Sequence, residues 1–515
     1  MAAPQGNMYP DYPPPLGGEQ EKYLLNSLKD FSIAHGLAVR PTPSYVSPET
    51  DPAVALATTA PVTLFPSLFP RVCFEQARSV IGAYNELYSA IASDETWLGE
   101  IIGELIEIDD FMANLWNVHM KVKKEGYAQT LNLGLFRSDY MVHVDPSEPQ
   151  PSVKQVEFNT IASSFGGLST QVSSLHKHLL SIGAYPESIS SIVSPSSVPP
   201  SPSVPELAKG MAKAHEAYGK SSGGLQTCVV FLVQDPERNV FDQRHIEYAL
   251  NENHGVRTFR LPFGRVLQDT RVDSDRKLIY TPPHTPNRQY EVSLIYFRAG
   301  YAPSEYISQE AWDARLHLER SAAIKCPSVL LQLAGTKKVQ QVLATPHSPH
   351  LKRFLPNEKQ ATEVLKTFAP IYPLDTSTAG QEARQLATDP ATAARYVMKP
   401  QREGGGNNVY RKAIPELLKT LPETQWPAYI LMEMIEPPAQ SNVIFRNGES
   451  QKGGVICELG MYGACLWRQG EGDGQREVLE NFDAGYLLRT KGDDSEEGGV
   501  AAGFGAIDSA CLVDV

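Results

Sequence analysis

The chain has 515 residues, a hydrophobic fraction of 42% and a formal net charge of −13, enough length for two or three domains around a large core. The acidity is spread along the chain and argues against a nucleic-acid binder, which shows a basic face. No apolar run approaches the ~20 residues of a membrane-spanning helix.

Residues 1–20, MAAPQGNMYPDYPPPLGGEQ, are proline-rich and polar, without the basic start and apolar stretch of a signal peptide. They are expected to form a disordered tail. Residues 71–124 are expected to be helical. Phe74, Ala77, Ile81, Tyr84, Tyr88 and Ile91 recur at three- and four-residue steps and mark one apolar face, and a second run follows from about Trp97 to Lys124. VKQVEFNT (Val153 to Thr160) reads as a strand. SSFGG (Ser163 to Gly167) breaks it, and a helix begins near Ser169.

Residues 185–206 are rich in Pro and Ser and are expected as a surface loop or linker. TCVVFLVQ (Thr227 to Gln234), a helix over about Asp242 to Asn251, and VSLIYF (Val292 to Phe297) predict a compact α/β unit of parallel type. Further on, YVMK (Tyr396 to Lys399) and YILMEMI (Tyr429 to Ile435) are apolar strands. RNGE (Arg446 to Glu449) carries the Asn-Gly signal of a tight hairpin, and residues 491–508 form a glycine-rich polar stretch. The six cysteines stand far apart with no CxxC pair, which disfavours metal-thiolate and disulfide frameworks and suits a reducing, cytoplasmic setting.

The densest chemistry lies in KPQREGGGNNVY, Lys399 to Tyr410. Three glycines after a strand allow backbone N–H groups to approach phosphate oxygens. Lys399 supplies a point charge, Glu403 an oxygen ligand for a divalent cation, and Asn408 a neutral oxygen. A triple glycine alone is more often a solvated turn, and neither GxxxxGK[ST] nor GxGxxG is present. VEFNT adds a second acidic element: Glu157 and Asn159 share one strand face, as hard-cation ligands do. Lys337 and Lys338 in GTKKVQQ, Arg489 and Lys491 in LLRTK, and Glu458 in ICELG supply further charge. A lone carboxylate among apolar neighbours, such as Glu458, needs a partner, and a nucleotide hydroxyl would serve.

LGLFRSDYM, VEFNTIASSFGG, ERNVFDQR, YFRAGYAP, QLAGTKKVQQ, MKPQREGGGNNVY, YILMEMIEP, CELG, LLRTK and GGVAAGFGAID follow one another from residue 20 onward. Together they resemble the eukaryotic glutathione synthetase family of ATP-grasp ligases. The resemblance implies an α/β ATP-grasp fold. Residues 21–225 would be the N-terminal part of the body and 226–330 an inserted smaller α/β substrate-binding domain. Residues 331–515 would be the ATP-binding part, with a mobile glycine-rich lid over about 350–425. It implies ligation of γ-glutamylcysteine to glycine with ATP and magnesium through an acyl phosphate, by a cytoplasmic homodimer.

By the same resemblance, Glu157, Asn159 and Glu403 would hold magnesium, and Lys337 and Lys399 would contact the phosphates. Pro400, Gln401, Arg402, Glu403, Gly404, Gly405, Gly406, Asn407 and Asn408 would close over the nucleotide. Met432, Glu433, Met434 and Ile435 would face the adenine and Glu458 the ribose, with Tyr410, Lys491 and Glu497 adding contacts. Arg137, Ile161, Ala162, Ser163, Ser164, Glu237, Arg238, Asn239, Gln243, Arg298, Ala299, Gly300, Tyr301 and Arg489 match the dipeptide positions. Arg137 would stabilise charge on the reacting carboxylate, because guanidinium binds planar oxyanions bidentately. Val500 and Ala501 would bound the amine. Three positions depart from the family pattern: Ala299 stands where an acid is common, Met434 where the adenine strand has Lys, and Glu497 where an Asp is found. A ligase using β-alanine or serine and a non-catalytic nucleotide-binding protein are the alternative readings.

Overall fold

A computed structural model describes residues 8–400, 408–493 and 505–515. Its organising element is the strand Leu131–His143, whose residues are buried almost without alternation, the pattern of a strand covered on both faces. On one side it pairs antiparallel with the strand Glu449–Gln469. Its other edge is divided. The strand Ser152–Asn159 pairs with residues 137–143, whereas Ile324–Cys326 joins in parallel at Lys325 opposite Asn132. The sheet therefore forks between Asn132 and Arg137. The turn Thr160–Phe165 leaves the Ser152–Asn159 strand at that fork.

Through Ile324–Cys326 the sheet runs on to Tyr290–Phe297, Gln226–Val233 and Thr258–Pro262, all parallel. The parallel unit expected over 226–330 is thus an extension of one sheet, with 13 strands among the described residues. It also has a core of its own, including Val230, Leu232, Ile295 and Phe297. A second, four-stranded antiparallel sheet is made by Ile371–Pro373, Tyr429–Glu433, Tyr396–Pro400 and Val409–Tyr410. It encloses a separate core around Tyr396, Met398, Leu418 and Leu431. The Asn-Gly signal is met at Asn447 (φ 50°) and Gly448 (φ 83°), which join the strands Gln440–Arg446 and Glu449–Gln469 as a type I′ turn requires.

The apolar stripe from Phe74 to Ile91 lies on the helix Arg71–Ser93. It packs on the sheet with Tyr88 stacked on Phe158, ring centroids 3.9 Å apart. The run expected from Trp97 to Lys124 is two helices, Glu95–Ile108 and Asp110–Glu125. Asp109 divides them, because its carboxylate accepts from the amides of Phe111 and Met112 and so caps a new helix.

Two proline-rich segments differ from expectation. Over residues 8–20 the chain is packed: Tyr9 and Tyr12 are buried, Tyr12 Oη donates to Pro66 O at 2.7 Å, and a helix starts at Gly18. Residues 1–7 lie outside the described residues. In 185–206, Ile189, Val193 and Val198 enter the main core. The serines there serve as hydrogen-bond donors, Ser201 Oγ to Tyr486 O at 2.7 Å. Proline has no amide to satisfy, so such a segment can be buried at little polar cost. No helix among the described residues is long and apolar enough to cross a membrane.

Candidate active site

Register gathers the first group of side chains. Arg137 lies opposite Asn159 and Asp139 opposite Glu157. On the other side Arg137 faces Tyr462 and Asp139 faces Gly460, while Glu458 faces Arg489. Directly opposed residues point to the same side of a sheet, so these side chains share one face. At its centre is Asp139, fully buried. It accepts from Arg137 Nε at 2.6 Å and Nη2 at 2.8 Å, from Asn159 Nδ2 at 3.0 Å and from Arg489 Nη2 at 2.9 Å. Such charge-assisted bonds offset the desolvation of a buried carboxylate. Gly460 makes the arrangement possible: a Cβ there would sit 2.7 Å from Arg137 Cδ and 2.8 Å from Asp139 Oδ1.

Arg489 also pairs with Glu458. The carboxylate that the sequence left without a partner is thus matched by a guanidinium, and the predicted nucleotide and dipeptide sets meet at this pair. Burial works against the charge on Arg137, and the Asp139 carboxylate more than offsets it. For Arg489 burial prevails and the guanidinium is pulled below its usual range.

Above the face stand two buried ammonium groups. Lys337 Nζ lies 2.7 Å from Glu157 Oε2, and Lys399 Nζ donates to Val156 O at 3.1 Å. Burial would raise the Glu157 carboxyl, but Lys337 and then Lys399 hold it well below the usual carboxylate range. Asn159 spends its amide hydrogens on Arg137 O at 3.2 Å and on Asp139. Its carbonyl oxygen is not used in these bonds, and it belongs to the same sheet face as Glu157. Two hard oxygen donors on one face fit a magnesium ion that completes its shell with phosphate and water. Among the described residues there is no group of three or more His, Cys, Asp or Glu that could hold a metal.

The second group sits at the fork. Ala162 (φ 52°) and Phe165 (φ 72°) take left-handed backbone conformations in the turn before the helix Gly166–Ser181. Non-glycine residues keep these only where the surroundings enforce them. Asp242 enforces the second of them: its carboxylate accepts from Phe165 N at 2.9 Å, Gly167 N at 2.7 Å and Leu168 N at 3.3 Å. Arg298 Nη1 reaches Ser163 O at 3.3 Å and Asp242 Oδ2 at 3.4 Å. Gln243 donates to Glu237 at 2.6 Å and Asn239 to Asp242 at 3.1 Å. Three buried polar atoms of this cluster, Asn239 Oδ1, Gln243 Oε1 and Arg298 Nε, have no hydrogen-bond partner among the described residues. A cluster so poised fits a ligand carrying both an ammonium and a carboxylate.

Other predicted positions divide. Gly300 (φ 80°) and Tyr301 form a turn whose amides donate to Glu305 at 3.0 and 3.1 Å, while Tyr301 Oη accepts from Gln234 at 3.2 Å. Ala299 is buried in the core of the parallel unit, and Arg238 turns toward Arg40 O at 3.4 Å. Met432 and Ile435 are buried. The amides of Glu433 and Met434 are taken by Pro370 O at 3.0 Å and Arg395 O at 2.8 Å, so within the strand these donors are spent. Asn408 donates to Tyr410 Oη at 3.2 Å, and Lys491 lies two residues beyond Arg489 on the same strand. Pro400 ends its strand. Gln401, Arg402, Glu403, Gly404, Gly405, Gly406, Asn407, Glu497, Val500 and Ala501 lie outside the described residues.

Sequence reasoning missed Asp139, Asp242 and Gly460. Asp139 carried a signal, because Arg137 and Asp139 repeat the i, i+2 pattern of Glu157 and Asn159. Asp242 carried none, since its amide partners lie 74 to 77 residues away.

The family model for the eukaryotic glutathione synthase ATP-binding domain matches residues 18–512. The chain belongs to the eukaryotic glutathione synthetase family. Among curated members of that family, the glutathione synthetase large chain of Schizosaccharomyces pombe is 39% identical over 508 residues, covering 95% of this chain and 97% of its own. Glutathione synthetase of Homo sapiens is 39% identical over 494 residues with the same coverage, 95% and 97%. The chloroplastic glutathione synthetase of Solanum lycopersicum is 40% identical over 88% of this chain and 78% of its own. In three dimensions the chain shares its fold with the glutathione synthetase-like effector GSS30 of Globodera pallida in its apoform, at a TM-score of 0.71 and 22% identity over 96% of both chains.

Proposed function

We propose that this chain is a glutathione synthetase, an ATP-grasp ligase that joins γ-glutamylcysteine to glycine and releases ADP and phosphate. The observation that carries the reading is the Arg137–Asp139 clamp, set beside Glu157, Lys337 and Lys399 on one sheet face. A carboxylate must be neutralised as it takes the terminal phosphoryl group, and the acyl phosphate formed must be held for attack by an amine. That chemistry needs no protein nucleophile; it needs fixed positive charge and positioning. Asp139 fixes the Arg137 guanidinium through two of its N–H groups, and the Nη1 edge lies along the Thr160–Phe165 turn, 3.3 Å from Ser164 O. Arg298, Asn239 and Gln243 receive the γ-glutamyl end. Lys337 and Lys399 receive the phosphates.

Glu157, Asn159 and Glu403 would hold magnesium, which would supply charge neutralisation to the phosphates. The four-stranded unit and Gly404 to Gly406 are assigned to the lid over the nucleotide, whose base meets the chain at Met432 to Ile435. Val500 and Ala501 are the residues assigned to selecting glycine over a longer amine. The chain acts as a cytoplasmic homodimer.

The test is ADP release with γ-glutamylcysteine and each of glycine, β-alanine and serine. We expect turnover that requires both dipeptide and amine, with glycine preferred by roughly 10–200-fold in kcat/KM. ADP release indifferent to the amine would overturn the assignment.

A further inference from the structure

Two segments that leave neighbouring parallel strands carry part of the dipeptide group. Gln234 follows the strand Gln226–Val233 and leads to Glu237, Asn239 and Gln243, while Arg298 follows the strand Tyr290–Phe297 and leads to Tyr301. The ladder between them closes with Arg298 N on Leu232 O at 2.8 Å. The amides of the turn after Arg298 must be matched elsewhere, and one side chain matches them. Glu305 Oε1 accepts from Gly300 N at 3.0 Å, and Oε2 accepts from Tyr301 N at 3.1 Å and Ala302 N at 2.9 Å. Three successive amides thus converge on one carboxylate, an anion nest of backbone closed by the chain itself. The carbonyl side of the turn is held too, since Tyr306 Oη donates to Gly300 O at 2.9 Å.

Gln234 ties the two segments together. Its Nε2 donates to Glu305 Oε1 and to Tyr301 Oη, both at 3.2 Å. A carboxamide has two such hydrogens, so both are spent. Tyr301 Oη accepts from Gln234 and keeps its own hydrogen for a ligand. Burial, and then the Glu305 carboxylate, raise the Tyr301 phenol above its usual range, so that hydrogen stays in place.

We infer that Glu305 is a positioning residue for the dipeptide site. It acts by fixing the backbone from Gly300 to Ala302 and, through Gln234, the hydroxyl of Tyr301. The inference rests on the proposed ligase activity and deepens it. A turn already set before the ligand arrives has less ordering left to do on binding.

The experiment measures kcat, the KM for dipeptide, the KM for ATP and the thermal midpoint in wild type, Glu305→Gln, Tyr301→Phe and the double variant. Glu305→Gln keeps the side-chain length but leaves one oxygen. Whichever way the carboxamide turns, two donors lose their acceptor. The KM for dipeptide should rise by about 10-fold or more, the scale of one hydrogen bond to a charged group, while the KM for ATP stays as in the wild type. In the Tyr301→Phe background the same substitution should raise it by only about 3-fold or less, because contacts in one network do not add. Gln234→Met cuts the tie without touching the amides of the turn, and should raise the KM for dipeptide even if Glu305→Gln folds poorly. A full 10-fold rise retained in the double variant would overturn the positioning role. So would a lowered thermal midpoint with an unchanged KM for dipeptide, or a normal KM in Gln234→Met. Absence of turnover by the wild-type chain with dipeptide, ATP and glycine would instead overturn the ligase reading.

Discussion

At the scale of single residues, the site is held by the absence of a side chain. Asp139 and Arg137 are locked together because Gly460, on the neighbouring strand, leaves room for both. Gly460→Ala would drive a methyl group into the Arg137 stem and the Asp139 carboxylate, neither of which has space to retreat. We expect kcat to fall by about 100-fold or more, the scale on which one misplaced charge-stabilising group acts. The KM for ATP should change less than kcat, since Lys337 and Lys399 lie on other elements while Glu458 shares the Gly460 strand. Overpacking should also lower stability by roughly 1–3 kcal/mol. Kinetics at varied ATP, with a thermal melt, separate the two effects; unchanged kcat in a folded variant would show that the guanidinium tolerates displacement. Sequence made Glu157, Asn159, Lys337 and Lys399 stand out, because each is a charge or amide set beside an apolar strand or helix, whereas Arg137 came from the resemblance alone. It could not reveal Gly460, since that glycine's role depends on which strand lies beside it.

Among elements, the turn from Thr160 to Phe165 and the helix after it depend on one carboxylate from a distant helix. Asp242 matches three amides at the start of the helix Gly166–Ser181 and faces Arg298. A Cβ at Gly167 would stand 2.3 Å from Asp242 O, so the two helices meet with no space between them. Asp242→Asn keeps the size but removes the charge and aims amide hydrogens at amide hydrogens. We expect the KM for dipeptide to rise at least about 10-fold and stability to fall by on the order of 2 kcal/mol, the range for hydrogen bonds to a charged group. A variant with normal dipeptide KM and lowered stability would make Asp242 a structural cap alone. The elements themselves were readable wherever one period prevailed, as in Phe74 to Ile91 or in TCVVFLVQ. Residues 8–20 and 185–206 were not, because their burial rests on scattered aromatics, valines and isoleucines, while proline and serine dominate the local composition.

Across the whole molecule, the two ends of the chain are joined by a buried polar knot. Asp508 accepts from Ser67 Oγ at 2.6 Å, 441 residues away, and from Thr490 Oγ1 at 2.7 Å. The adjacent Ser509 shares a hydrogen with His176 Nδ1 at 2.6 Å, while His176 Nε2 lies 3.0 Å from Thr63 O. Because Thr63 O only accepts, Nε2 carries the proton and Ser509 donates to Nδ1. Burial pushes the Asp508 carboxyl up to about 6 and the His176 imidazole down to about 4. The two contributions to stability have opposite signs. That of His176 is complete above its unfolded value of ~6.5 and is lost as pH falls toward about 4. That of Asp508 is complete below its unfolded value of ~3.9 and is lost as pH rises through about 6. Between about pH 4 and 6 the slopes oppose each other, and the knot is nearly indifferent to acid. Substitution should expose each slope alone. His176→Gln should gain stability relative to the wild type as pH falls from 6 to 4, and Asp508→Asn should lose it, each by a few kcal/mol at roughly 1.4 kcal/mol per unit. The measurement is the denaturant midpoint of the three proteins across that range, where other titrating groups cancel in the differences. Parallel curves for all three would show that neither group changes its protonation on folding, and the join between the chain ends would then owe nothing to acid–base balance.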